Sequence, residues 1–547
     1  MLADLRALLA LAIRGERPFA VGLALCIVGS IVADFTIMLA VLAALAHRRA
    51  GELYGQQVVI FLLAVALFYV LNVRANRELN RRYAEAARAM VVGITGRLPR
   101  LPLLEYEALG RGTLVTRLLG DGGQIAGCRR VVYGVISGAI RLLLGAVLAV
   151  QISPTASAVA LGAIIMIGFI VAAQLGGLQR GFGELAPDDA RMYDLLRSQA
   201  LGGPSLKVHR PRARALASAF ESISRRVEAL RVALFTTFYE RQFAADFLFY
   251  ALLGVTTFAL PLVASVTAEE VRELNLVSLW LVLGVVKLIS GAPKLTSAGA
   301  ALARLRDLEE RLGDARIEPA VRDGELDGGP FAGFRRVRVE QLEFHYPATD
   351  GGGFTLGPLD VEFERGELVF ITGRNGSGKS TFARLLAGLY RPSAGRIVVD
   401  GVPLADETRN AWRMLISTVF VEHCIFERTH GLDAGAEARA PELLARFQLA
   451  HKTSIADGRV SNRALSTGQR KRLAMVLAQL SDKPVLLLDE WAAEQDPEFR
   501  ETFYDSLLPQ LRDEGRLVIV ITHDETYFSR ADRCLRLEGD RFVEVSP

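Results

Sequence analysis

Six mostly apolar runs in the first 300 positions limit what this chain can fold into: residues 18–46, 56–74, 131–152, 154–176, 243–265 and 274–292. Crossing ~30 Å of hydrocarbon at 1.5 Å per residue takes about 20 apolar residues in a helix. Residues 1–315 are therefore expected to form a membrane all-α domain of six helices with cytoplasmic extensions. The first run is long enough to tilt or project beyond the bilayer. The fifth holds Pro261 near one end, where freed backbone groups still find partners.

The connections are unequal. Residues 47–55, the Ser153 region and 266–273 are short, whereas 75–130 and 177–242 are long and rich in arginine, including Arg81, Arg82, Arg97 and Arg100 in one and Arg210, Arg212, Arg225 and Arg226 in the other. The positive-inside tendency puts the long segments and both termini in the cytoplasm, with the helices in the cytoplasmic (inner) membrane. The stretches RELNRRYAEAARAMVVGITGRL and ALASAFESISRRVEALRVALF are made of helix formers. Each long segment is broken midway by Gly and Pro, at LPRLPLLEYEALGRG and LGGPSLKVHRPRAR. Two helical hairpins running into the cytosol are expected, each with a turn at its tip.

Four ionisable residues fall within or beside the apolar runs. Asp34 and Arg141 lie deep and are expected to face a wet cavity, either as a charge pair or as contacts to a polar cargo. Asp246 and Lys287 lie nearer the inner ends, where they snorkel to the rim or join the same cavity.

Composition narrows the partners. The 547 residues allow two to four folding units at about 100–200 residues each, and 51% hydrophobic content suits a lipid bilayer. A net charge of +4 is too balanced to point to nucleic acid. Cys26, Cys128, Cys424 and Cys534 have no metal-type spacing and read as isolated reduced thiols. In MLADLRALLALAIRGERPFA, Arg14 and Arg17 stand where a signal-peptide cleavage site should lie. The stretch reads instead as an amphipathic helix on the membrane surface.

The pattern changes after Leu295. SAGAALARLRDLEERLGDAR is a charged helix, and residues 316–335 are acidic, rich in Gly and Pro, and read as a linker. From 336 to 547, short β-rich runs (VRVEQLEFHY, LVFIT, RIVVD, STVFV, VLLLDE, LVIVIT) alternate with helices. That is an α/β domain with a largely parallel sheet.

This second domain carries the chemistry. Gly373-Arg374-Asn375-Gly376-Ser377-Gly378-Lys379-Ser380 fits GxxxxGK[ST] between strand LVFIT and the helix that Thr381 opens. Glycines let backbone N–H groups wrap a phosphate at a helix N-terminus. Lys379 reaches the outer phosphates and Ser380 holds Mg²⁺, so ATP with Mg²⁺ is the expected ligand. The apolar run Val485–Leu488 ends in Asp489, suited to the Mg²⁺ shell, and Glu490, placed to face an attacking water. Leu465-Ser466-Thr467-Gly468-Gln469 opens the helix RKRLAMVLAQL, and Ser466 is also a good N-cap.

Together these motifs resemble the ABC transporters. LSTGQ is similar to their LSGGQ signature, which in that family closes over the nucleotide held by a second subunit. The resemblance implies that Ser466, Gly468 and Gln469 face the γ-phosphate of a partner's ATP, that His523 after LVIVIT is the switch histidine, that Asp496 is the D-loop aspartate, and that Tyr346 stacks on adenine. One position departs from the family: Val421 stands where most members have Gln, with Glu422 and His423 following. Six membrane helices ahead of a P-loop ABC nucleotide-binding domain match the half-transporter layout of ABC exporters, an ATP hydrolase coupled to transport and working as a homodimer. LSTGQRKRLA and DEWAAEQDP are most similar to exporters of cyclic and modified peptides of the pyoverdine, syringomycin and microcin type. A lipid flippase or general drug exporter shares the architecture. Import is disfavoured, because importer permeases usually sit on a chain separate from their ATPase.

Overall fold

The computed structural model describes the chain apart from residues 1, 14–16, 48–54, 110, 264–265, 315–316, 320, 322–324, 348–352, 433 and 546–547; for some further helix residues, among them 111–117 and 171–180, it describes the backbone alone. Two compact units emerge: Met1–Arg97 with Gly110–Asp314, and Leu98–Leu109 with Ala315–Pro547.

The first unit is helical: α1 (Leu2–Ile13), α2 (Arg17–His47) and α3 (Gly55–Arg97) precede the short α4 (Leu103–Ala108), which belongs to the second unit. Then follow α5 (Arg111–Gly127), α6 (Arg129–Ile152), α7 (Pro154–Leu201), α8 (Gly203–Val208), α9 (Arg210–Gly254), α10 (Leu260–Val263) and α11 (Ala268–Asp314). Among the described residues, four helical stretches are long and apolar enough to cross a membrane: Val21–Ala44, Gly55–Arg100, Gly120–Ile152 and Ala268–Gly313. Phe249–Leu262 is a shorter apolar helix.

Helix α3 shows how one helix serves two surroundings. Its first half turns Leu62, Leu63, Leu67 and Val70 outward, as a bilayer requires. Its second half buries Ala75, Leu79, Tyr83, Ala87, Met90 and Ile94, a stripe at spacings of three and four against neighbouring helices. Tyr83 donates to the Leu8 carbonyl at 3.1 Å, and Leu8 and Leu11 are buried. Helix α1 thus packs Leu8 and Leu11 on neighbouring helices. Between α9 and α10 the residues Val255–Ala259 form a π turn centred on Thr257, four residues ahead of Pro261, whose ring would collide with the Thr257 carbonyl in a regular helix. Thr256 donates to Asn275 Oδ1 (2.6 Å) and Asn275 to Thr257 Oγ1 (2.8 Å), which ties this irregular turn to α11.

Helices α6 and α11 meet through glycine. A Cβ on Gly138 would lie 2.7 Å from the Gly284 carbonyl oxygen, and one on Gly145 would lie 2.2 Å from Leu281 Cδ2. Lipid tails give no hydrophobic reason for helices to associate, so close backbone approach through small residues does that work. Gly138→Ala is expected to cost about 1–3 kcal/mol through this clash. A clear drop in the thermal midpoint of the detergent-solubilised protein checks it, and an unchanged midpoint would refute the close contact.

The same helices enclose polar groups. Arg141 pairs with Asp34 and lies with its guanidinium 5.2 Å from the Trp280 ring centre. This is the charge-pair arrangement foreseen for these two residues. Lys287 turns into the bundle, donating to Ser137 Oγ at 3.5 Å, rather than running out to a rim. The side chain of Asp246 lies outside the described residues. A second cluster joins Ser30, Tyr133 and Asn72 at 2.8 and 3.0 Å.

The second unit contains β1 (Arg336–His345), β2 (Thr355–Glu364), β3 (Leu368–Gly373), α12 (Lys379–Leu386), β4 (Ala394–Val399), β5 (Val402–Pro403), α13 (Arg409–Arg413), β6 (Ile416–Val419), α14 (Ala434–Ala438), α15 (Ala440–Arg446), β7 (Ile455–Ala456), β8 (Arg459–Val460), α16 (Thr467–Leu480), β9 (Val485–Asp489), α17 (Pro497–Thr502), α18 (Leu508–Asp513), β10 (Leu517–Ile521), β11 (Arg533–Glu538) and β12 (Arg541–Glu544). The main sheet has the order β12-β11-β3-β10-β9-β6, parallel except for edge strand β12. Strands β3, β9 and β10 are buried on both faces, so they read as unbroken apolar runs. Val369 and Ile371 enter one core with Leu487 and Ile519; Leu368 and Phe370 enter the other with Leu488 and Val520. The runs VRVEQLEFHY and RIVVD do not join this sheet. They form a separate antiparallel sheet, β2-β1-β4-β5. Alternating exposed and buried positions in β1 fit a sheet with one wet face. The stretch read as a linker is anchored here: Phe331 and Phe334 pack edge-on against Trp412, and Glu318 pairs with Arg413.

Candidate functional site

Three neighbouring strands, β3, β10 and β9, end in one row. Ile521 stands beside both Ile371 and Asp489. Their carboxyl ends therefore bring the loop after Gly373, the Asp489-Glu490 pair and His523 to a single edge, the usual place for a ligand in a parallel sheet.

Between β3 and α12 the loop Gly373–Gly378 makes a tight turn. Gly376 and Gly378 have φ of +81° and +101°, values that L side chains avoid, and a Cβ on Gly378 would also strike Leu356. Asn375 is exposed on this loop. Lys379 is buried and curls back, donating to the Gly373 and Arg374 carbonyls at 2.9 and 3.1 Å. Its amine thus sits across the mouth of the loop. Burial pulls its pKa below the usual lysine value, with Glu490 and Asp489 opposing.

Ser380 hydrogen-bonds the Asp489 carboxylate, while Asp489 Oδ1 is buried with no hydrogen-bond partner among the described residues. Burial, and Glu490 beside it, raise the Asp489 pKa above the usual carboxylate value. An orphaned carboxylate oxygen beside a hydroxyl at a phosphate loop fits Mg²⁺, a hard cation that takes oxygen ligands and keeps its waters. Ser380 and Asp489 would hold it, and it would neutralise developing phosphate charge.

Glu490 leaves β9 with φ of +49° and is held by its N–H to the Ile521 carbonyl at 3.0 Å. Its Oε1 lies 3.5 Å from His523 Nε2. Both side chains are partly open to solvent, so a water can reach them. Tyr346 follows β1, and its hydroxyl lies 3.2 Å from Thr381 Oγ1.

The signature residues occupy a different part of the unit. Ser466 caps α16 in a reciprocal capping box with Gln469, at 3.3 and 3.2 Å. Gly468 lies against the Glu494 carbonyl, 2.8 Å from where a Cβ would be. Asp496 caps α17, accepting from the Phe499 N–H at 2.9 Å, and pairs with Arg472. Those contacts, the Phe499 N–H first, lower its pKa.

Sequence reasoning missed two residues that join these parts. Buried Lys471 donates to the Glu490 carbonyl at 2.9 Å, and Arg472 donates to Gln495 Oε1 at 2.8 Å as well as pairing with Asp496. Three cations in succession behind LSTGQ, Arg470-Lys471-Arg472, were the available signal. Val421 is exposed after β6, and the His423 ring lies 3.3 Å from its carbonyl.

Residues 356–493 match the model of the ABC transporter family. Over 294 residues the chain is 37% identical to ATP-binding protein SyrD of Pseudomonas syringae pv. syringae, covering 52% of each chain. It is 30% identical over 296 residues to an ATP-dependent lipid A-core flippase of Chromohalobacter salexigens, covering 51% of this chain and 46% of that one. It is 29% identical over 312 residues to the mycobactin import ATP-binding/permease protein IrtB of Mycobacterium tuberculosis, covering 53% and 51%. The chain thus spans about half the length of the relatives it matches. IrtB combines ATP-binding and permease parts under an import name, so a fused layout does not by itself set the direction of transport. Among solved structures, a bacterial Atm1-family ABC exporter with ATP bound superposes with a TM-score of 0.76 at 18% identity, covering 96% of this chain and 94% of that one. With apolar membrane-length helices ahead of a domain that matches the ABC transporter family, the chain has the fold of an ABC exporter half-transporter.

Proposed function

We propose that the chain hydrolyses ATP to export a cyclic or modified peptide, or a peptide siderophore, across the cytoplasmic membrane, working as two copies. The row formed by the Gly373–Ser380 loop, Asp489, Glu490 and His523 carries the ATPase part. Lys379 and the loop amides bind the phosphates, Ser380 and Asp489 take Mg²⁺, Glu490 polarises the water, and His523 steadies Glu490 and the γ-phosphate. Tyr346 stacks on adenine. Ser466, Gly468 and Gln469 cap a helix whose N-terminus faces outward, free to meet ATP held by a second copy. The peptide cargo is favoured by LSTGQRKRLA and DEWAAEQDP, and by an identity to SyrD above that to the flippase and import relatives.

The test is uptake by inside-out membrane vesicles. ATP-dependent accumulation of a fluorescent cyclic lipopeptide, abolished by Lys379→Ala, is expected. Transfer of a fluorescent lipid with no peptide uptake would replace peptide with lipid cargo, and ATP-dependent loss of preloaded peptide would reverse the direction.

A further inference from the structure

Residues Leu98–Leu109 follow α3 and precede α5 in the chain, yet they fold with the ATPase domain. They are held at two places. Arg100 and Glu318 share two hydrogen bonds, the Glu318 N–H reaching the Arg100 carbonyl at 2.8 Å and the Arg100 side-chain Nε reaching the Glu318 carbonyl at 3.1 Å. Seven residues on, Glu107 accepts from the Tyr390 hydroxyl at 2.7 Å. Leu103 and Leu104 pack on the same core between them.

The Tyr390 contact has a direction. Arg384 Nη1 donates to the Tyr390 oxygen at 3.0 Å, and the Tyr346 hydroxyl donates to it at 3.4 Å. With both lone pairs engaged, Tyr390 gives its own proton to Glu107. Tyr346, having given its proton to Tyr390, is left to accept from Thr381 at 3.2 Å. The hydroxyls thus run head to tail, Thr381 to Tyr346 to Tyr390, and end on a carboxylate, an order in which each bond strengthens the next. Burial first, then the bonds with Tyr346 and Glu107, hold the Tyr390 phenol above its usual pKa, so it stays a donor at neutral pH. Adhesion of the segment does not need this chain, since Leu103, Leu104 and the Arg100–Glu318 contacts already provide it.

We propose that Glu107 and Tyr390 are positioning residues for Tyr346, so that the affinity of the site for ATP is set in part by the segment joining two of the long helices. This rests on the reading of Tyr346 as the residue that stacks on adenine. A phenol anchored by Thr381 on one side and Tyr390 on the other presents a fixed ring face to the base. Releasing Tyr390 from Glu107 lets that ring tilt.

ATP binding with Mg²⁺, measured by titration calorimetry on the full chain in lipid nanodiscs, tests this; a Glu490→Gln background prevents turnover, and the stoichiometry reports the folded fraction. Tyr390→Phe keeps the ring stacked on Phe344, 5.0 Å away, and removes only the hydroxyl. It should weaken ATP about three- to tenfold, the worth of one buried hydrogen bond. Glu107→Ala should match it, Glu107→Gln should stay near the parent because its amide oxygen still accepts, and the Tyr390→Phe/Glu107→Ala pair should be no weaker than either single change. A dissociation constant within twofold of the parent for both single changes, while Tyr346→Ala binds more than tenfold weaker, overturns the positioning role and leaves the stacking role standing. Unchanged binding in Tyr346→Ala overturns both.

Discussion

Glu490→Gln is expected to bind ATP with near-parental affinity and to hydrolyse it about 10²–10⁴-fold more slowly, the usual worth of a positioned general base. The amide keeps the shape of the side chain. Its backbone is fixed from two sides, by the Ile521 carbonyl and by Lys471, so the loop should not rearrange. What is lost is the charge that draws a proton from water, 3.5 Å from His523. An effect on turnover without one on binding is the signature of an interaction made only in the transition state. Steady-state ATPase near the parental rate would remove Glu490 from the role assigned to it.

The second large effect is expected deep in the helical unit. Arg141 and Asp34 keep only 7% and 15% of their side-chain surface exposed, and they face each other. Removing one leaves the other buried without a counter-charge, at a cost of about 3–5 kcal/mol. Asp34→Ala and Arg141→Ala should therefore each lower the thermal midpoint and the yield of monodisperse protein. The paired change Asp34→Asn/Arg141→Gln, which removes both charges and keeps polar partners, should recover most of the loss. If instead the single variants melt like the parent while cargo stimulation of the ATPase disappears, the two charges serve cargo and not the bundle.

The parts of this chain that were legible in its sequence are those where one physical demand acts on consecutive residues. Burial on both faces makes β3, β9 and β10 unbroken apolar runs, and a phosphate loop needs its glycines and lysine within eight positions. Membrane length alone marked the long helices. The antiparallel sheet was misread because β1 and β4 look like any other β-rich run; only their pairing partners, β2 and β5, distinguish them. The protein contacts of helix α1 were not legible, because a stripe such as Leu8 and Leu11 says that something apolar covers it, and not which helix does so. Glu107 could not be picked out at all: its partner Tyr390 lies 283 positions away, and no local pattern foretells such a meeting.

The continuity of the long helices has a mechanical consequence. Helix α3 runs without interruption through 43 residues, and α11 through 47. At 1.5 Å per residue α3 is a rod of ~65 Å, and a tilt of about five degrees at one end sweeps the other by ~5 Å. The glycine contacts of α6 with Gly284 and Leu281 fall within α11, well away from its ends, where a fulcrum would have to be. Rods held there by close backbone packing can rock with little change in the contact itself, so a small stroke at one end becomes a displacement wide enough to admit a side chain at the other.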